Sequence, residues 1–242
     1  MPNSPAEPLS LLAFGAHPDD IEFGCGGAIA LETARGGPAH LIVTSHGEAG
    51  TNGTPDQRRA EAQEAARALG ASIDFVELDG DAHLDLKSAH AITLAGHIRR
   101  LRPRLVLAPT LVENQHPDHW RLGKLVRDAC RIARFGGLAE LRHAPPHAIE
   151  HLMFFAITAD AEPTMPPTVL VDVSDEIALL RWTSAMNAHA SQQQTRNYTE
   201  LQLTRARLWG LRCNSQHAIP LWANDPFVLD SLGAIGRSAR RF

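Results

Sequence analysis

Two short polar strings carry the residues with the most chemical potential. They are AFGAHPDDIEFG (13–24) and ENQHPDHW (113–120), and both contain His-Pro-Asp. His17 and Asp20 stand three apart in a turn that Pro18 fixes, so both side chains can reach one ion; His116 and His119 bear the same relation. A catalytic zinc takes three protein ligands from His, Asp or Glu and keeps one position for water. Two histidines and one carboxylate suffice. That leaves Asp19 and one histidine for a base and an electrophilic helper, as hydrolysis requires. Taken singly, each His-Pro-Asp is also an ordinary turn, because Pro fixes φ and Asp caps the next helix. The pair is worth more than either member, because each follows an apolar strand and should open at the same sheet edge.

The elements that must position these strings follow from periodicity. LSLLAFGA (9–16) is a short apolar run ending in Gly, consistent with a buried strand. A Gly-rich turn, FGCGG, is expected next, then a helix over AIALETARG closed by Gly36 and Gly37. AHLIVTS (39–45) reads as the second strand and HGEAGTNG (46–53) as a loop. Thr54-Pro55-Asp56-Gln57 forms a capping box with Pro at the first helical position, and that helix runs to Leu69-Gly70. SIDFVEL (72–78) and RLVLAP (104–109) read as strands three and four, with a helix near 87–101 between them and another beginning near His119. Alternation at this spacing means βαβ units. The expected fold is α/β: a Rossmann-like open sheet, mostly parallel, with helices on both faces. Past about residue 140 the rhythm changes. Apolar runs at 149–157 and 168–174, then helices near 175–190 and 198–213, read as a C-terminal α/β extension of one domain spanning 1–242, with a small second lobe as the alternative. Residues 1–8 read as a flexible Pro-rich leader.

Composition removes several functions. The 242 residues carry 23 Lys+Arg against 27 Asp+Glu, a formal charge of −4, which leaves no basic surplus for phosphates; no nucleic-acid partner is expected. No apolar run approaches about 18 residues, so no membrane insertion is expected. The start lacks the basic region of a signal peptide. Cys25, Cys130 and Cys213 show neither CxxC spacing nor even pairing, which points to a reducing, cytoplasmic setting. Gly24-Cys25-Gly26-Gly27 has a rival reading as a phosphate loop, yet it fits neither GxGxxG nor GxxxxGK[ST]. Cys25 reads as a small buried residue before it reads as a nucleophile.

AFGAHPDDIEFGCGG with QHPDHW resembles the LmbE-like (PIG-L) de-N-acetylase family, whose members remove acetyl groups from N-acetylglucosaminyl compounds. The nearest look is to the bacillithiol-pathway type. A GE-x-GT loop (here HGEAGTNGT), an RxxE helix (Arg58-Arg59-Ala60-Glu61) and a late VDVS segment recur in the same order over roughly 9–230. The resemblance implies His17, Asp20 and His119 as ligands of Zn(2+) or another divalent metal. It implies Asp19 as general base, His116 as the group that stabilises the oxyanion or protonates the leaving amine, and Asp118 as the carboxylate that orients His116. It places Glu48, Arg58 and Asp79 at the sugar-binding rim. It also implies a homo-oligomer, hexamer or trimer, acting on a small-molecule N-acetylated amino-sugar conjugate. His46-Gly47-Glu48 stands where the family reads RGE, Leu78-Asp79-Gly80 lacks the usual Pro, and AHASQ (188–192) replaces AYKSQ. The expected function is zinc-assisted hydrolysis of such an amide, with Asp118 favouring a charged His116. Two alternatives stand beside it: a metal-dependent amidase on a non-sugar amide, and a non-catalytic nucleotide-binding α/β domain. Arg58 has its own pair of readings, a grip on an anionic aglycone or an i,i+3 pair with Glu61.

Overall fold

Residues 9–113 and 116–240 are described by the structure, a computed structural model. The expected leader, 1–8, and Asn114 and Gln115 of the second polar string lie outside the described residues. Five strands run parallel: β1 (Leu11–Gly15), β2 (Ala39–Val43), β3 (Ser72–Phe75), β4 (Leu105–Pro109) and β5 (His151–Phe155). β7 (Ala218–Ala223) pairs antiparallel to β5, and β6 (Val169–Asp172) pairs antiparallel to β7. The sheet order is β3-β2-β1-β4-β5-β7-β6, so residues beyond 140 extend the same sheet.

Alternation along β1 divides the core. Leu11 and Ala13 join the cluster under α1 (Asp20–Ala34), α2 (Pro55–Leu69), α5 (Glu176–Ala188) and α6 (Tyr198–Arg212). Leu12 and Phe14 join the one under α3 (Ser88–Leu101) and α4 (Pro117–Ile132). Helices thus cover both faces. The Thr54 half of the capping box forms, with Thr54 Oγ1 accepting from Gln57 N at 3.2 Å, while the Gln57 side chain donates to Glu61 at 3.2 Å; Gly70 closes α2 at φ 72°.

Two expectations are corrected. The FGCGG stretch is helical, part of α1. Its glycines are there for packing: a Cβ on Gly24 would lie 2.3 Å from the Phe155 ring, and one on Gly27 2.8 Å from Ile219 and 2.9 Å from Trp182. Close approach of the helix to the sheet and to α5 offsets the low helix propensity of Gly. β7 escaped the sequence reading because Pro220 interrupts its apolar run, and Pro demotes a strand. Pro220 is tolerated because the β5 ladder reaches only Phe154↔Trp222 and Met153↔Ala223.

Candidate metal centre and active site

β1 and β4 are neighbours, and the strand order turns back between them, so a crevice opens beyond their carboxyl ends. Both His-Pro-Asp strings sit there. Asp20 Oδ2 accepts from Ala16 N and His17 N, each at 2.9 Å, which fixes the carboxylate at the start of α1. Asp20 Oδ1 then faces His119 Nε2 at 3.1 Å. His17 Nδ1 lies 3.4 Å from Asp20 Oδ2 and 3.2 Å from His119 Nε2. Bonds of about 2.0–2.1 Å in a tetrahedron set neighbouring donors about 3.3 Å apart. Two ring nitrogens facing each other at that distance, with a carboxylate beside both, therefore fit one divalent cation. The electrostatics agree. Burial works against a charged His17, yet the Asp20 charge and the Asp118 and Asp81 carboxylates outweigh it and hold its pKa well above the ordinary value. Burial also opposes ionisation of Asp20, but the His119 and His17 imidazoles keep its pKa well below the usual range. A group of buried carboxylates that retains positive charge in this way is suited to a cation.

Asp19 adopts φ 113° at the head of α1, a left-handed conformation costly for a residue with a Cβ. Arg58 holds it there. This guanidinium is 5% exposed and donates from Nη2 to Pro18 O at 3.0 Å and Asp19 Oδ2 at 3.3 Å, and from Nη1 to Gly47 O at 2.9 Å. Burial and the Asp20 charge push the Asp19 pKa up to about 6, with Arg58 pulling against them. Gly47, at φ 68°, leaves room for the guanidinium: a Cβ there would fall 2.0 Å from Arg58 Nη1.

The cavity around these groups holds about 480 Å3. Metal-site candidates His17, Asp20 and His119 line it, as do Asp19, His116 and Arg58. His116 is the N-cap of α4, and its Nδ1 accepts from Asp118 N at 3.4 Å. The Asp118 carboxylate is 3.8 Å from His116 Nδ1, beyond hydrogen-bond reach; its Oδ2 accepts from Ala82 N at 2.7 Å and lies 3.4 Å from His17 Nε2. Burial and the His17 charge lower the His116 pKa despite Asp118, contrary to the expected imidazolium.

Glu48 and Asp79, expected at the rim, are not among the residues lining the cavity. Glu48 accepts from Asp81 N at 2.7 Å and from His46 N at 3.0 Å, joining two loops. Asp79 pairs with Lys87 at 2.6 Å and His90 at 2.7 Å. Asp81, two residues on, takes the inward place, with Oδ1 3.0 Å from His17 Nε2. Sequence reasoning passed over it because only the turn at Gly80, φ 89°, decides which of the two aspartates faces inward. Also missed was the wall of Phe23 and Tyr198, stacked at 5.3 Å between centroids. Glu61 does not pair with Arg58. It accepts from Ser191 N and Ser191 Oγ, at 2.9 and 2.6 Å, and so ties α2 to the AHASQ segment. His189 of that segment is buried 3.5 Å from Glu22.

Residues 12–130 match the PIG-L family, described as GlcNAc-PI de-N-acetylase. Diacetylchitobiose deacetylase of Thermococcus kodakarensis is 30% identical over 206 residues, 75% of this chain and 69% of that protein. The 4-oxalmesaconate hydratase of Pseudomonas putida is 33% identical over 140 residues, 53% of this chain; the match spans just over half of that enzyme, 54%. The crystal structure of the conserved protein TT1542 from Thermus thermophilus superposes with a TM-score of 0.80 at 31% identity, over 95% of this chain and all of that one. The chain belongs to the PIG-L family.

Proposed function

We propose that this protein is a zinc-dependent hydrolase that removes the acetyl group from an N-acetylglucosaminyl-type conjugate. The observation that carries the reading is the convergence of His17, Asp20 and His119, with the strained Asp19 on the same cavity and bonded to Arg58. Nitrogen and oxygen donors in this number suit zinc. Zinc held there would supply polarisation of the amide carbonyl and a lowered pKa for attacking water.

The chain's own groups do the rest. Asp19 accepts the proton of the attacking water at its carboxylate, oriented by Arg58. His116, at the cavity mouth, meets the oxygen that gains charge as the carbonyl carbon becomes tetrahedral. The amine leaves with a proton returned by Asp19 or His116. Proton transfer of this kind contributes about 10²–10⁴ in rate. Phe23 and Tyr198 offer an apolar face on which a sugar ring can stack.

The hydratase among the relatives raises a second reading, addition of water to a carboxylate-bearing substrate. Arg58 bears on it. Among the described residues lining the cavity it is the one guanidinium, and it is committed to Asp19 and two carbonyls. Asp19, Asp20 and Asp81 line the same space. This favours a neutral amide over a multiply charged acid. The same fact replaces the idea that Arg58 grips an anionic aglycone. We further propose a cytoplasmic homo-oligomer, supported by three free buried cysteines and by exposed Ile177, Leu180, Leu208 and Leu211 on α5 and α6. Among the described residues no helix is long and apolar enough to cross a membrane. The test is metal analysis of the purified protein joined to an acetate-release screen over N-acetylglucosamine conjugates, with unsaturated carboxylic acids as the competing panel. Zinc with acetate release supports the reading; hydration of the acids without acetate release overturns it.

A further inference from the structure

His17 has a second ring nitrogen, and what surrounds it is not an ordinary hydrogen-bond partner. Nε2 lies 3.0 Å from Asp81 Oδ1 and 3.4 Å from Asp118 Oδ2. Neither oxygen lies where the in-plane N–H of the ring points, so this nitrogen of a 7% exposed side chain makes no hydrogen bond. It is aimed between the two carboxylates. His116 closes the fourth side: its Nε2 is 3.6 Å from Asp81 Oδ1, and its ring packs edge-on to that of His17 at 4.4 Å between centroids. One donor atom from each of His17, Asp81, His116 and Asp118 can be chosen so that all lie within 4.8 Å of one another. Asp118, 1% exposed, leaves Oδ1 without a hydrogen bond as well, with the Arg121 guanidinium 3.9 Å from it. Two carboxylates on one histidine are more than is needed to orient a metal ligand, for which a single carboxylate accepting Nε2–H is enough.

We propose that His17 Nε2, Asp81, Asp118 and His116 form a second divalent-cation site beside the first, weaker than it and inhibitory when filled. The two sites share His17, Nδ1 facing the first and Nε2 the second. The Nε2 proton leaves to solvent as the ion binds. An ion already held on Nδ1 of the same ring makes the second site the weaker. His116 and Asp81 both line the open cavity, which gives an ion its way in. Inhibition follows because His116 ceases to be free for the substrate's oxygen; that half rests on the function proposed above, whereas the binding half does not.

Zinc binding by equilibrium dialysis and elemental analysis tests both halves, with the acetate-release rate followed at each zinc concentration. The wild-type protein should take up a tight equivalent and then a second, at least tenfold weaker, with the rate falling as the second fills. Asp81→Asn should raise the dissociation constant of the second equivalent at least tenfold; loss of an outer carboxylate also weakens the first ion, by about 10–100-fold, so the titration is run in zinc buffer that resolves both. Asp118→Asn, checked for folding by circular dichroism, should behave in the same way. His119→Ala should do the reverse, losing the tight equivalent and keeping the weaker one. A single equivalent up to millimolar zinc overturns the proposal. So does a second equivalent that both carboxylate variants leave unchanged. A wild-type protein that releases no acetate from any conjugate would overturn the proposed function, and the binding isotherms would still decide the second site.

Discussion

Replacing Arg58 by Ala removes one guanidinium that serves three acceptors: Gly47 O at 2.9 Å, Pro18 O at 3.0 Å and Asp19 Oδ2 at 3.3 Å. With 5% exposure it is not screened as a surface pair is. Removing one partner of a buried charge pair costs about 3–5 kcal/mol. The carbonyl bonds are not added separately to this, because a cost measured on removing a buried partner already includes part of them. For a chain of this size each kcal/mol moves the melting temperature by about 2–4 °C, so a loss of about 6–20 °C is expected. The kinetic consequence is separate. Asp19 keeps its left-handed backbone only against strain and carries its charge only against that of Asp20, and Arg58 is the hydrogen-bonded cation that opposes both. A base displaced by about 1 Å costs about 10²-fold in rate. Turnover should therefore fall about 10²-fold with KM nearly unchanged, equally for a neutral and an anionic acetylated conjugate. Arg58→Lys should regain part of the stability and little of the turnover, since an ammonium cannot present a planar fork to three acceptors. Calorimetry and acetate-release kinetics on both conjugates read this out. A selective rise in KM for the anionic conjugate, with turnover and melting temperature intact, would refute the reasoning and restore Arg58 to the substrate.

Asp19→Asn should retain the metal by elemental analysis and lose about 10²–10⁴ of the rate; loss of the metal instead would mean that Asp19 and Asp20 have exchanged roles. Gly24→Ala places a Cβ 2.3 Å from the buried Phe155 ring, so a destabilisation of about 1–3 kcal/mol is expected by urea denaturation, and a variant as stable as the parent would contradict the packing described for α1. Asp79 is held down to about 2, first by the Lys87 hydrogen bond and then by His90. Its folded pKa is below its unfolded value of about 3.9, so its contribution is present above that value and is lost as pH falls toward 2. Asp79→Asn should accordingly flatten the stability profile between about pH 5 and 2, and added salt should shrink the difference; an unchanged profile would remove the Lys87–His90 pairing from the stability of the 79–90 loop.

Short-range chemistry was the legible part of this sequence. The Thr54 cap of α2, the αL glycine that ends it, β1 as a buried strand and the start of a helix at each His-Pro-Asp turn all depend on neighbours within a few residues, and each is present; the expected Asp caps are not, since Asp19 makes no side-chain cap bond and His116 caps α4. What escaped depends on partners far along the chain. The glycines of α1 read as a turn because their reason for being small, Phe155, Trp182 and Ile219, arrives more than a hundred residues later. β7 is stabilised by β5 and β6 and not by its own apolar pattern. Arg58 shows what position alone leaves out. An arginine beside a metal motif reads as an anion grip, whereas in the fold its guanidinium bonds Asp19 and two backbone carbonyls.

The position of the two motifs in the strand order explains why they can act as one site. β1 and β4 are separated in sequence by two complete βα units, but the sheet order places them side by side, with β2 and β3 running off in one direction and β5 in the other. Loops leaving β1 and β4 consequently diverge to opposite faces of the sheet: α1 packs on one core and α4 on the other. His17 and Asp20 thus approach from one side and His119 from the other, and only a point above the β1–β4 crevice is within reach of all three. A metal centre split in this way requires both halves of the core to be in place before its donors meet. Asp19 is positioned from α2, through Arg58, and Asp118 holds the loop after β3, through Ala82 N. Four of the five parallel strands therefore contribute a loop or helix that fixes a charged group at this point. A cluster of carboxylates and imidazoles so constrained from separate elements is unfavourable for folding on its own, since its like-charged members repel and are buried. A cation that binds only the folded chain would recover that cost by linkage, in proportion to the logarithm of its concentration over its dissociation constant.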